Sequence, residues 1–97
     1  MILEHALITV QVGREAQFEA EFPKAKAVIS QAAGFVDLQL HRGIESPGTY
    51  LLLIHWQTLE DHTVGFRESA LFTQWRAIIG PFFADKPLVD HFAILNS

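Results

Sequence analysis

The sequence contains no cysteine, which excludes disulfides, thiolate metal sites and cysteine nucleophiles. Basic residues are few and scattered, seven Lys and Arg against eleven Asp and Glu, for a net charge of −4. Without a basic face to neutralise phosphates, neither nucleic acid nor an anionic membrane is expected as a partner. Long hydrophobic runs are missing too: the longest run of strong hydrophobes, "LLLI" at 51–54, falls far short of the roughly 20 residues that cross a bilayer. The opening "MILEHALITV" lacks a basic n-region and carries Glu4 and His5 inside its apolar stretch, so it reads as a strand rather than a secretory leader. A cytoplasmic location is therefore expected. Also missing are a phosphate-binding glycine loop, a dinucleotide fingerprint, an HExxH motif and a nucleophile-elbow serine. The five histidines, His5, His41, His55, His62 and His91, include no pair spaced by three or four residues. A metal site would have to be assembled from separate elements, and none is expected.

What is present is apolar: 49% of the 97 residues are hydrophobic and only 19% charged. One domain over residues 1–97 is expected, small enough that part of its apolar surface needs cover from outside the chain. Residues 3–12 alternate, with Ala6, Ile8, Val10 and Val12 on one face and His5, Leu7, Thr9 and Gln11 on the other, which predicts a strand ended by Gly13. From Arg14 to Ala33 the period changes. Phe18, Phe22, Ala25, Ile29 and Ala32 form one helical stripe that Gly34 closes, with Pro23 expected to bend it. Alternation returns in "FVDLQLHR" at 35–42, with Val36, Leu38 and Leu40 on one side, and "GIESPGT" connects it to the next strand. "YLLLIHWQ" at 50–57 is apolar nearly throughout, the pattern of a strand covered on both faces.

Thr58 and Asp61 match the start of a capping box, predicting a helix from Leu59 that Gly65 interrupts near Phe66. Ser69 is placed to cap a second helical piece carrying Leu71, Phe72, Trp75, Ile78 and Ile79, which "GP" at 80–81 stops. "LVDHFAIL" at 88–95 is a last strand. The order β-α-β-β-α-β predicts an α+β, ferredoxin-like antiparallel sheet with both helices on one face. The other face is left open, and a second copy of the chain, joined by two-fold symmetry, is the expected cover.

His62 lies three residues after Leu59 and four before Phe66, on the stripe turned toward the sheet. It is either a buried histidine satisfied by a backbone carbonyl or a base lining a cleft, and its position alone does not separate the two. Trp75 continues the core stripe. Arg76 reads as a solvated side chain whose stem covers apolar surface, or, beside a pocket, as a cation for a phenolate or enolate. His5, His55 and His91 sit on strands and are expected to converge on one sheet face.

The "W-x-x-x-E-D-H" step from third strand to helix, the "S-A-L-F-T-Q-W-R" helix and the closing "P-L-V-D-H-F" strand, in this element order, resemble the antibiotic biosynthesis monooxygenase family over almost the whole chain. The resemblance implies a homodimeric α+β barrel with a pocket between sheet and helices in each subunit. In quinone-forming members it implies oxygen insertion from O₂ into a small aromatic quinol or anthrone without metal, flavin or haem. A deprotonated, electron-rich substrate itself gives an electron to O₂, and the protein supplies a dry cavity, orientation and a proton acceptor. The expected walls are Phe66, Phe72 and Trp75, with Arg76 beside them; His62 is the expected acceptor and His91 the next candidate. A haem-degrading branch is the lesser alternative. The resemblance places Phe66 where that branch has a tryptophan and Arg76 where it has its ligating histidine, and arginine is no axial ligand to haem iron. A non-catalytic dimeric barrel that binds an aromatic metabolite is the other alternative, since core and pocket are built from the same residue types.

Overall fold

The computed structural model describes residues 1–96. Its elements run β1 (Ile2–Thr9), α1 (Glu15–Ile29), β2 (Phe35–Arg42), β3 (Thr49–Trp56), a π-helical segment (Asp61–Phe66), α2 (Ala70–Ile79), a 3₁₀ turn (Gly80–Phe82) and β4 (Leu88–Ala93). The sheet has the order β2-β3-β1-β4 with every neighbouring pair antiparallel. This is the ferredoxin-like α+β arrangement the element order predicts.

One face of the sheet carries the core. Tyr50, Leu52, Ile54 and Trp56 of β3 and Ala6 and Ile8 of β1 are all buried there, against Phe18, Phe22, Ala25 and Ile29 of α1 and Trp75 and Ile79 of α2. The period-two and period-four stripes of the sequence therefore meet as predicted. On the opposite face Leu7, Leu88 and Phe92 are exposed while Leu51 and Leu53 are half-buried.

Several boundaries differ from expectation. β1 ends at Thr9; Val10 remains buried beside an isolated bridge to Phe83, but Val12, grouped on one face with Ala6, Ile8 and Val10, is 97% exposed in the turn. α1 runs unbroken through Pro23 and stops at Ile29, short of Ala33. A bulge between Phe35 and Asp37 shifts the register of β2, so Val36 is exposed while Leu38 is buried. β4 stops two residues early, at Ala93.

Gly34 meets two demands at once. Its φ of +81° is left-handed, and a Cβ there would collide with the Asp61 carboxylate. That close approach sets the chain entering the π-helical segment against the connection between α1 and β2. Among the described residues no helix is long and apolar enough to cross a membrane.

Candidate active site

Three elements bring their polar residues to one point under the π-helical segment. The capping box forms as predicted: Asp61 N donates to Thr58 Oγ1 at 3.1 Å and Thr58 N donates to Asp61 Oδ2 at 3.2 Å. The turn that follows is not the predicted α-helix. Arg67 N reaches back five residues to the His62 carbonyl at 3.2 Å, the i→i+5 pattern of a π-turn, and both His62 and Phe66 are pressed onto the sheet. Ser69 sits at the N-cap of α2, yet its hydroxyl donates backwards to the Phe66 carbonyl at 2.7 Å instead of capping the helix.

β1 supplies Glu4, which is 5% exposed, and β3 supplies the fully buried Trp56. Trp56 Nε1 donates to Glu4 Oε1 at 3.0 Å. His62 Nε2 lies 3.3 Å from the same oxygen. On its other side His62 Nδ1 is 2.8 Å from His91 Nε2 of β4, whose register places His91 directly beside Glu4. The expected convergence of His5, His55 and His91 therefore fails for His91. It lies three positions from Leu88 and one from Phe92, so it turns to the helix face, while His55 pairs with Asp37 at 2.6 Å and His5 packs edge-on to Phe92.

Around this polar point the rings are in contact. The His62 imidazole stacks on Trp56 with centroids 5.3 Å apart, and Phe66 touches Trp56, Phe72 and Trp75 at 5.6, 5.5 and 6.2 Å. A cleft of about 1230 Å³ opens between the sheet and α2. Glu4 and His62 form its polar floor, Phe66, Phe72 and Trp75 line it, and Arg67, Arg76 and Lys86 place positive charge on its walls, with Asp85 beside Lys86 in the chain. His91 does not line it. Half-buried on the edge strand, His91 stands behind His62.

Burial sets the charges. It pushes the Glu4 carboxyl up to about 7, against the Trp56 hydrogen bond and the positive Arg67, both of which favour the anion. It pushes His62 down to about 4, with Arg67 and His91 acting in the same direction. His91 is also lowered, by burial and then by Arg67, with Asp90 opposing. At neutral pH the imidazole is thus uncharged, and the carboxylate is the stronger base of the pair.

The sequence-predicted residues His62, Phe66, Phe72, Trp75 and Arg76 all reach the cleft. Glu4, Trp56 and Arg67 are additions. For the first two the signal was present: the alternation that turns Ala6 and Ile8 inward turns Glu4 inward as well, and Trp56 continues the Leu52, Ile54 series. Arg67 had none, because its proximity to the histidines depends on the π-turn. Among the described residues no group of three or more acidic or histidine side chains is arranged to hold a metal ion.

The antibiotic biosynthesis monooxygenase family model matches residues 1–78. The chain is 39% identical over 92 residues to the uncharacterised protein YczJ of Bacillus subtilis (strain 168), covering 95% of this chain and 97% of that protein. It superposes with a TM-score of 0.94, at 43% identity and covering 98% and 97% of the two chains, on a Bordetella bronchiseptica protein provisionally assigned as an antibiotic biosynthesis monooxygenase. A mutant of SnoaB, a cofactor-independent oxygenase from Streptomyces nogalater, shares the fold, with a TM-score of 0.82, 18% identity and coverage of 99% and 94%. By sequence and by structure, the chain belongs to the antibiotic biosynthesis monooxygenase family.

Proposed function

We propose that the protein is a cofactor-independent monooxygenase that oxidises a small aromatic quinol- or anthrone-like substrate with O₂. The observation that carries this reading is a buried carboxylate and a neutral imidazole at the floor of a cleft walled by aromatic rings. For an anthrone the balance is one CH₂ and one O₂ giving one C=O and one water. The Glu4–His62 pair takes the first proton, the resulting carbanion reduces O₂, and the proton is available again when water leaves. Phe66, Phe72 and Trp75 bound the flat substrate. Arg67 and Arg76 are the cations for its oxyanion, and His91 supports His62 from behind. That SnoaB is a cofactor-independent oxygenase supports the same chemistry on this fold.

A homodimer belongs to this reading. The sheet face away from the helices carries Leu3, Leu7, Leu51, Leu53, Leu88 and Phe92, an apolar group of the kind that marks an interaction surface. A second copy offers the same face to it. Sedimentation is expected to give a dimer at micromolar concentration; a stable monomer would remove the barrel.

The deciding experiment is O₂ uptake by metal-stripped protein supplied with anthrones and hydroquinones. Uptake that persists in chelator supports the reading. Uptake that vanishes in chelator and returns with iron or copper overturns its cofactor independence, and binding of the aromatic without uptake points to the non-catalytic barrel.

A further inference from the structure

The cleft is longer than its reacting floor. Glu4 stands near the start of β1, opposite His91, and the strand then carries Ala6 and Ile8 along the cleft. At the other end of β1 the segment that leads into β4 crosses it: Val10 bridges Phe83, and Ala84 N donates to the Thr9 carbonyl at 2.8 Å. Asp85 and Lys86 follow directly and line the cleft there. Glu4 and Thr9 belong to one extended strand, so roughly 16 Å separates the two ends, more than a single ring fills. Between them Ile8, Ile29, Leu52, Ile54 and Ile79 offer an uncharged surface.

The charges along this length are uneven. The chain has a net charge of −4, yet three of its seven Lys and Arg line the cleft. Lys24 and Arg42 are paired with carboxylates elsewhere, whereas Arg67, Arg76 and Lys86 form no salt bridge among the described residues. Arg67 belongs to the reacting end, where its charge acts on Glu4, His62 and His91. Arg76, in the last turn of α2, stands between that end and Lys86. A single negative charge suits the far end better than a dianion, which Asp85 and the negative C-terminal pole of α2 would repel.

We propose that Lys86 selects the substrate: a flat, fused-ring aromatic acid whose reacting carbon lies at Glu4 and His62 and whose carboxylate meets Lys86 at the far end of the cleft, with Arg76 alongside. The choice of an aromatic rests on the oxygenase reading. The charge at Lys86 is remote from the reacting carbon, so it acts on binding and orientation. A hydrogen bond from an ammonium to a carboxylate is stronger than one to a neutral amide, which makes the acid the preferred ligand.

Anthraquinone-2-carboxylate and its neutral carboxamide are titrated into the protein at low salt, with tryptophan fluorescence as the readout. The carboxylate is expected to bind at least about 10-fold more tightly. Lys86→Gln is expected to lose most of that preference with an unchanged near-ultraviolet circular dichroism spectrum. Lys26→Gln removes the same charge outside the cleft and is expected to keep it. Equal affinity for the two ligands, no binding of either, or an undiminished preference in Lys86→Gln overturns the proposal. O₂ uptake separates it from the oxygenase reading: anthrone-2-carboxylate should show a lower KM than its carboxamide at similar kcat. A binding preference without uptake on either supports the assignment of Lys86 and removes the oxygenase reading. Uptake with equal kcat/KM on both overturns this assignment and leaves that reading standing.

Discussion

Glu4 and Glu19 each accept a hydrogen bond from an aromatic donor on the buried face of β3, at opposite ends of that strand: Trp56 at 3.0 Å for Glu4, Tyr50 at 2.6 Å for Glu19. Only the surroundings differ. Glu19 lies at the rim and also receives the Arg42 guanidinium, with Nε 2.8 Å from Oε2. The Arg42 and Tyr50 hydrogen bonds hold its carboxyl below the usual range. Glu4 is buried with no cation in hydrogen-bond contact, and its carboxyl rises to about 7. The Tyr50 phenol, buried and facing an anion, is pushed up to about 12 and stays a donor. One end of the sheet is therefore an ion-paired clamp whose charges are already satisfied. At the other end a carboxyl has been left able to gain and lose a proton near neutral pH, which general-base chemistry requires.

The contrast is sharpened most by Glu4→Gln. Turnover of a cognate quinol or anthrone should fall by about 10²-fold or more, while the urea midpoint at pH 8 holds or rises because a buried charge has been removed. Full turnover in that variant would move the base to another residue. Next in size is the pH dependence of stability. Glu4, raised in the folded state, adds stability that is complete below pH 4.5 and lost as pH rises through about 7. His62, lowered in the folded state, adds stability that is complete above pH 6.5 and lost as pH falls through about 4. Across pH 4.5–6.5 the two slopes oppose each other. In Glu4→Gln the opposing carboxyl slope is gone, and the depressed His62 and His91 act in one direction, so denaturant melts should show stability rising steadily between pH 4 and 6.5. A flat profile in the variant would mean that His62 is not depressed. The smallest effect belongs to the clamp: Tyr50→Phe should lower the urea-derived stability by about 1 kcal/mol and leave turnover unchanged, since Tyr50 does not line the cleft. A large loss of turnover there would mean that the two ends of the sheet are coupled.

Much of the clamp-to-cleft frame was legible from spacing. Phe18, Phe22, Ala25 and Ile29 fall on one stripe because α1 is a regular helix, and Leu52, Ile54 and Trp56 fall on one face because β3 is a regular strand. His62 and the aromatic walls were legible for the same reason. Two features were not. The side to which His91 turns depends on the register of β4, a short strand with no strong alternation of its own. The π-turn that carries His62 begins at Asp61, whose side chain lies against Gly34, a residue far away in sequence. Glu4 itself was hidden by its type, since a carboxylate on a core face reads as an interruption of the pattern until its partners Trp56 and His62 are seen.

The central claim is that these two carboxyls, alike in their aromatic donor, titrate on opposite sides of the ordinary value. Carbonyl ¹³C NMR of glutamate-labelled protein, with Glu4→Gln and Glu19→Gln used to assign the two signals, measures this directly. The expected result is a Glu4 midpoint at about pH 7 and a Glu19 midpoint below 4.5. A Glu4 signal that titrates together with Glu19, at or below the ordinary carboxyl value, would contradict the account.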